Sequence, residues 1–464
     1  MASHQHKLQH LFLRAGFGET PPAIARLKDT SLGSVVEQLF NDSKSWKDIH
    51  YLPYPIKENR EKKGVSASQF LGMILKSKQD SEELNQQWLF KLTHTKAVLR
   101  EKMVFFWHNH FATSVPFSYL MQEQNNTLRK HALGNFRDLL FAIAKDPAMI
   151  LYLNNQENKK DHPNENFARE VMELFTLGIG HYTEKDIQEA ARAFTGWTID
   201  ARGEFVFREG IHDSGEKIFL GKKGNFKGED ILNILLDNKQ TARYIVYKIY
   251  REFVNPKPDT EIIEQLAAQF FNSGYNIEQL MRSIFNAEWF YADQNIGVKI
   301  ASPVELIVRY NKLIKLKFTK PKGLLQLQHA LGQVLFFPPN VAGWKGHEKW
   351  IDSASLLLRL NLPQFIVNGS AVGLKSRPAF EEAPEDGPAE IKNQKVESDW
   401  GSFIHFFRDK KGDVLIESML SHLIQSSAAR IPVEKLRSVN SENTDNQIVQ
   451  LAAQIMSLPE FQLI

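Results

Sequence analysis

The segment Trp107-His108-Asn109-His110-Phe111 places two imidazoles and an amide between large aromatic side chains. Imidazole nitrogens are common ligands of zinc and of other transition metals. Side chains two residues apart do not share a face of a regular helix. In an extended segment or at a frayed helix end, however, His108 and His110 can both turn toward one metal ion. The alternative interpretation is structural, with each histidine bonded to backbone at a buried helix end.

A second group of candidates lies in the segment 165–177, which its apolar periodicity predicts to be a helix. Glu170 and Glu173 are three residues apart and therefore lie near each other on one face. Paired carboxylates can bind a cation or share a proton in acid–base catalysis. The alternative is a surface ladder of ion pairs that joins Glu165, Arg169 and Glu173 at intervals of four residues.

Three further segments carry candidate residues. His181 lies in a tight, glycine-containing loop between two predicted helices, and such loops often hold functional residues. His212 and Asp213 lie in a predicted hairpin loop and form a candidate catalytic pair, although adjacent side chains rarely face each other. Trp344 ends the proline-rich string Phe337–Trp344, which is a candidate for the wall of an apolar pocket.

These candidates lead to one hypothesis about the site. Buried imidazoles need polar partners, and a helix with a strong apolar stripe must lie against the core, so its carboxylates are plausible partners. We expect a polar, metal-binding pocket formed by His108, His110, Glu170, Glu173 and His181. Nitrogen and oxygen ligands favour zinc, iron or manganese, and the expected chemistry is metal-assisted hydrolysis or oxidation. Secondary candidates are Arg169, His212, Asp213 and Trp344.

Composition excludes several other classes of site and partner. The sequence contains no cysteine, which excludes disulfides, thiolate metal ligands and cysteine nucleophiles. The 57 basic and 54 acidic residues give a formal net charge of +3, too balanced to indicate a nucleic-acid partner. No run approaches the roughly 18 apolar residues of a membrane span, and no signal peptide is recognisable. As written, the chain is expected to be cytoplasmic, whereas a chain trimmed of its signal would be periplasmic.

The elements that must position these residues are mostly helical. Apolar residues recur at helical spacing over four long segments, 131–144, 261–290, 299–315 and 445–458. Asn272-Ser273-Gly274 divides the second of these into two helices. Glu204–Phe207 and Lys217–Leu220 predict one short hairpin around residues 208–216. The expected fold is therefore mainly α, a large multi-helix single unit with one short β-hairpin.

One segment differs from the rest in composition. Residues 377–398 hold three prolines, many charges and few apolar residues, which is typical of a flexible linker or surface loop. We expect residues 1–376 to form the main helical body. Residues 399–464 are expected to form a C-terminal helical segment that packs back on that body.

Six strings of the sequence form a pattern that can be compared with known families. They are Leu11–Gly18, Phe106–Ser114, Asn164–Trp197, His212–Gly215, Ser302–Glu305 and Phe337–Trp344. The pattern resembles that of the bacterial family called domain of unknown function 1800, and the segment 377–398 departs from that pattern. The resemblance implies no established chemistry.

The same resemblance implies a partner. Members of the family are often encoded beside a second, sulfatase-like protein. An alternative to an enzyme is therefore a non-enzymatic scaffold or escort for that sulfatase-like protein. In this alternative the histidines and carboxylates form a buried polar network that stabilises the fold.

Overall fold

A computed structural model describes residues 2–52, 67–200, 202–318, 322–368, 396–425, 431, 433–437 and 443–464. The described residues are 63% helical, and the strands among them form short two-stranded sheets. The prediction of a mainly α fold is confirmed. Among the helices of this part, none combines the length and the apolar character needed to cross a membrane.

The described part of the chain contains a long series of α-helices. In order they are α1 (His4–Ala15), α2 (Pro21–Arg26), α3 (Leu32–Asp42), α4 (Ala67–His94), α5 (Val98–His110), α6 (Ser118–His131), α7 (Phe136–Ala144), α8 (Pro147–Tyr152), α9 (Asn166–Glu170), α10 (Glu184–Phe194), α11 (Gly228–Asp237), α12 (Lys239–Phe253), α13 (Thr260–Asn272), α14 (Ile277–Phe285), α15 (Pro303–Ile314), α16 (Gly323–Leu331), α17 (Ser353–Asn368), α18 (Gly401–Phe407), α19 (Gly412–Leu423), α20 (Val433–Arg437) and α21 (Thr444–Met456). A π-helical turn, Val171–Thr176, continues α9.

The strands pair differently from the predicted hairpin. β1 (Trp197–Ile199) pairs with β2 (Phe205–Phe207), and β3 (Lys217–Phe219) pairs with β4 (Lys222–Gly224), both antiparallel. A third sheet joins β5 (Lys317–Phe318) to β6 (Val396–Glu397). The expected pairing of 204–207 with 217–220 is therefore wrong. The reason is local: Leu220 and Gly221 both have positive φ, which closes a two-residue turn and gives β3 a nearer partner.

The C-terminal helices contact the N-terminal part of the chain. The side-chain amide of Gln5 on α1 donates to the Ser421 carbonyl of α19 at 3.0 Å, and α21 packs on α17. Ile300 and Leu463 pair as an antiparallel bridge. Of the linker expected at 377–398, residues 377–395 lie outside the described residues. Residues 396 and 397 form β6.

A buried ion pair joins α5 to α6. The guanidinium of Arg129 on α6 donates through Nε and Nη2 to the two carboxylate oxygens of Glu101 on α5, at 2.5 and 3.0 Å, and both side chains are fully buried. Trp88 Nε1 also donates to Glu101, and Asn125 and Asn126 accept the remaining Arg129 donors. The group joins α4, α5 and α6 through polar contacts in the core.

Candidate functional site

The two histidines of the aromatic segment lie within α5, which extends through His110. Two residues on a helix are separated by about 200° of rotation, so their rings face apart. His108 Nε2 accepts a hydrogen bond from the backbone N–H of Phe336 at 3.1 Å. His110 Nε2 donates to the carbonyl of Phe175 at 3.3 Å. The two histidines are thus hydrogen-bonded to two different backbone segments, each far away in the sequence.

Both rings are uncharged at neutral pH. Burial lowers the pKa of His108 to about 3, and burial together with the charge of Lys248 holds the pKa of His110 well below its ordinary value. The Nε2 lone pair of His108 is already used by the Phe336 N–H. The hydrogen bonds therefore agree with the structural interpretation of this segment.

Glu170 is the last residue of α9, and Glu173 lies on the π turn that continues this helix. The backbone N–H groups of Leu177 and Gly178 both donate to the Met172 carbonyl, at 2.8 and 3.2 Å, which widens the helix into a π turn. Such turns are often found at functional sites. Both glutamates are half-buried, and burial together with the charge of Glu173 raises the pKa of Glu170. The two carboxylates therefore remain neighbours, as the sequence predicts.

The hydroxyl of Tyr182 donates to Glu173 Oε2 at 2.6 Å. The expected ion-pair ladder is therefore present only in part. Arg169 binds Glu165 at 3.3 Å, but its other hydrogen bonds go to both carboxylate oxygens of Glu184, at 2.9 Å, and Glu173 is bound by Tyr182 instead. His181 is exposed in the loop that follows the π turn.

The secondary candidates have structural partners. His212 is buried, with Nδ1 2.9 Å from the carbonyl of Thr195, whereas Asp213 accepts from Arg192 at 2.7 and 3.2 Å. The two residues therefore do not form a catalytic pair. Trp344 is buried 5.7 Å from the His108 ring, and its backbone N–H donates to Asn109 Oδ1 at 2.8 Å.

The described residues contain no group of three or more histidine, aspartate or glutamate side chains placed to hold a metal ion. The five expected ligands are therefore not gathered into one group. The reason lies in the secondary structure: α5 continues through both histidines and turns them to different sides, while His181 is exposed. Glu170 and Glu173 are the part of the expected set that the structure places together.

Helix α12 adds residues that the sequence did not reveal as candidates. It packs on the π turn, and its Gln240 side chain donates to the Leu177 carbonyl at 2.9 Å. Tyr244, Lys248 and Arg251 recur at helical spacing and lie half-buried on one face of this helix. Burial and the charge of Glu173 raise the pKa of Tyr244 to about 12. Tyr244 therefore lies within electrostatic range of the carboxylates.

Lys248 is the most unusual residue of this face. Its Nζ lies 5.5 Å from the centre of the Tyr244 ring, and within the described part of the chain it has neither a hydrogen bond nor an ion pair. Burial lowers its pKa to about 8, and the neighbouring cation Arg251 acts in the same direction. In the sequence, Lys248 is one of several charged or polar residues of α12, and its helical spacing from Tyr244 and Arg251 does not distinguish it from the others.

Gly178 allows Tyr244 to approach the π turn, and replacing it tests this contact. Its φ is +81°, and a Cβ would lie 2.9 Å from Tyr244 Cδ2. Gly178→Ala is expected to lower the free energy of unfolding by about 2–4 kcal/mol, the sum of backbone strain and overpacking. Gly180→Ala is the matched control, because its φ is +87° and no atom lies within 4 Å. Urea denaturation measures both, and equal losses would contradict a close Tyr244 contact.

One of the comparisons with known proteins gives a match, and it identifies a family. The model of the family described as "Protein of unknown function (DUF1800)" matches residues 10–463, nearly the whole chain. No curated protein and no solved structure matches the chain. The match runs from α1 to the C-terminus and includes the π turn, α12 and the loop that holds Trp344. The chain therefore belongs to the DUF1800 family.

Proposed function

We propose that the chain is a hydrolytic enzyme whose acid–base site consists of Glu170, Glu173, Tyr182, Tyr244 and Lys248. The observation that carries the proposal is Lys248, a half-buried ammonium without an anionic partner in the described chain, on a helix packed against the carboxylate-bearing turn. A pair of groups whose environments shift their pKa values toward neutrality is typical of acid–base catalysis.

The roles follow from the charge states near neutral pH. Glu170 is ionised above its raised pKa and removes a proton from water, and the Tyr182 hydroxyl holds the neighbouring Glu173 carboxylate in place. The resulting hydroxide attacks an ester or amide carbonyl. Lys248, protonated below about pH 8, donates its proton to the leaving group. The rate should therefore rise as Glu170 ionises and fall near pH 8.

The first experiment measures hydrolysis of a panel of p-nitrophenyl esters. We expect Lys248→Met and Glu173→Gln to reduce kcat/KM by about 10²–10⁴-fold, the usual contribution of general acid–base catalysis. Lys239→Met, at the exposed start of α12, and Glu165→Gln, which binds Arg169, are the matched controls and should leave the rate unchanged. Equal rates in all four variants would contradict the proposal and favour the escort role.

The second experiment tests Lys248 without a substrate. A lysine of pKa about 8 has roughly a hundredfold more free amine at pH 8 than a lysine of ordinary pKa near 10.4. Trace acetylation followed by mass spectrometry should therefore show Lys248 reacting with a midpoint near pH 8. A midpoint above pH 10 would contradict the assigned role of Lys248.

Metal-assisted hydrolysis or oxidation remains a prediction from the sequence. It differs from the proposal in what stabilises the negative charge of the reacting oxygen: a bound cation rather than the Lys248 ammonium. Elemental analysis of the purified protein separates the two. Near-stoichiometric zinc, iron or manganese would favour the metal-dependent site, and activity that survives a chelator would favour Lys248.

A further inference from the structure

A second group of charges lies deep in the protein, apart from the acid–base site. We call it the ionic cluster, and its members are Arg14, Lys102, Glu252, Lys299 and Glu305. Lys299 Nζ lies 2.9 Å from Glu305 Oε1 and 2.5 Å from Glu252 Oε1. Lys102 binds Glu305 directly and lies 3.8 Å from Glu252. Four of the five side chains are almost completely buried, and Glu252 is 24% exposed.

The charges of the ionic cluster do not balance. Three cations face two carboxylates, which leaves one positive charge in excess. Burial lowers the pKa of Arg14 only to about 10, so its guanidinium stays charged at neutral pH. His10 and His347 lie nearby, but burial holds the pKa of each below its ordinary value, so neither adds a further positive charge at neutral pH. An uncompensated buried charge is costly, and proteins normally pair it.

The excess charge is located at Arg14. Its side chain is 0% exposed, and its Nη2 donates to the Asn295 carbonyl at 3.2 Å. Its Nε and Nη1 have no hydrogen-bond partner in the described chain. These atoms carry three N–H groups in a planar arrangement, and such groups bind anions well. A buried cation with free donors, next to lysines that are already paired with carboxylates, is an arrangement suited to binding an anion.

We propose that a small monovalent anion of the size of chloride binds to Arg14 within the ionic cluster. One negative charge neutralises the cluster and occupies the free guanidinium donors. Burial of Arg14 restricts the ligand to a small ion, and the carboxylates of Glu252 and Glu305 repel a multivalent anion. The site is independent of Lys248 and of the proposed hydrolysis.

Thermal unfolding in sodium chloride and in sodium gluconate at equal ionic strength tests the site, because gluconate is too large to enter. We expect the Tm of the wild type to be about 2–5 °C higher in chloride, since a ligand that binds only the folded state stabilises it. Arg14→Met should abolish the difference. Arg309→Met is the matched control: this buried arginine already donates to the carbonyls of Phe461 and Leu423, so its variant should retain the difference.

Crystals soaked in bromide test the wild type directly, even if Arg14→Met fails to fold. Anomalous scattering should place bromide beside the Arg14 guanidinium. The proposal is overturned if no bromide lies beside Arg14, or if chloride and gluconate give the same Tm for the wild type. A chloride effect of equal size in Arg14→Met would also overturn it, because the ion would then act elsewhere.

Discussion

Replacing Glu101 by glutamine is expected to lower the free energy of unfolding by about 3–5 kcal/mol, the usual cost of leaving one partner of a buried ion pair unpaired. Arg129 would keep its contacts to Asn125 and Asn126 but would lose both hydrogen bonds to carboxylate oxygens. Its guanidinium is 0% exposed and cannot turn to water. Trp88 would donate to a neutral amide instead of a carboxylate.

Urea denaturation of the single and double variants measures this effect. The double variant Glu101→Leu, Arg129→Met removes both charges and should be more stable than either single variant, because no unpaired charge remains. Asp445→Asn, in the exposed pair with Arg408, is the control and should change stability by less than about 1 kcal/mol. If Glu101→Gln lowers the free energy of unfolding no more than Asp445→Asn does, the buried pair must be accessible to water.

Local signals in the sequence predict most of the fold. Thr183 and Asp186 form the capping box that begins α10, and Ser302 with Glu305 begins α15 in the same way. The break between α13 and α14 also falls where the sequence places it. Each of these features depends on residues within one or two helical turns. The hairpins are local as well, and the predicted pairing was wrong because Leu220 and Gly221 form the turn that joins β3 to β4.

The candidate site depends far more on distant residues. His108 is hydrogen-bonded to the backbone of Phe336, and His110 to the backbone of Phe175. No local sequence pattern predicts either partner. The aromatic neighbours indicate correctly that both imidazoles are buried, but burial alone does not distinguish a metal ligand from a structural hydrogen bond. Lys248 could not be predicted from the sequence, because its distinguishing property is that it has no hydrogen bond or ion pair within the described residues. Only the three-dimensional structure shows this.

The strings that resemble the family meet in the interior. The string Leu11–Gly18 supplies Arg14, and Ser302–Glu305 supplies Glu305, so two of them enter the ionic cluster. The string Phe106–Ser114 supplies Asn109, which accepts a hydrogen bond from the backbone N–H of Trp344 in the string Phe337–Trp344. Gly343 is required there, because its φ is +74° and a Cβ would lie 2.2 Å from Asn109 Oδ1. These strings therefore support one another through polar contacts between helices.

Glu305→Gln is the second change with a large expected effect, about 3–5 kcal/mol of unfolding free energy. Glu305 Oε1 contacts Lys102 and Lys299, and Oε2 accepts the backbone N–H of Ser302 at 2.7 Å. Glutamine preserves the helix cap but removes the negative charge. The cluster would then hold three cations against Glu252 alone. Gluconate buffers are needed, so that anion binding does not compensate.

The pH dependence of this loss identifies its electrostatic origin. Burial alone would raise the pKa of Glu305, but the ammonium groups of Lys102 and Lys299 outweigh burial and hold it below its ordinary range. A carboxyl with a depressed pKa stabilises the folded state fully above its unfolded pKa of about 4.3. That stabilisation is lost as the pH falls toward the folded value. The difference between wild type and Glu305→Gln should therefore be constant from pH 5 to 8 and should shrink below about pH 4.

Urea midpoints measured between pH 3 and 8 test this expectation. Glu417→Gln, an exposed residue of α19, is the matched control and should show no pH-dependent difference from the wild type. A difference for Glu305→Gln that stays the same at pH 3 would mean that altered packing, not lost charge, causes the loss. The absence of any difference at pH 7 would mean that Lys102 and Lys299 do not need Glu305 as a counter-charge, and that the ionic cluster is accessible to water.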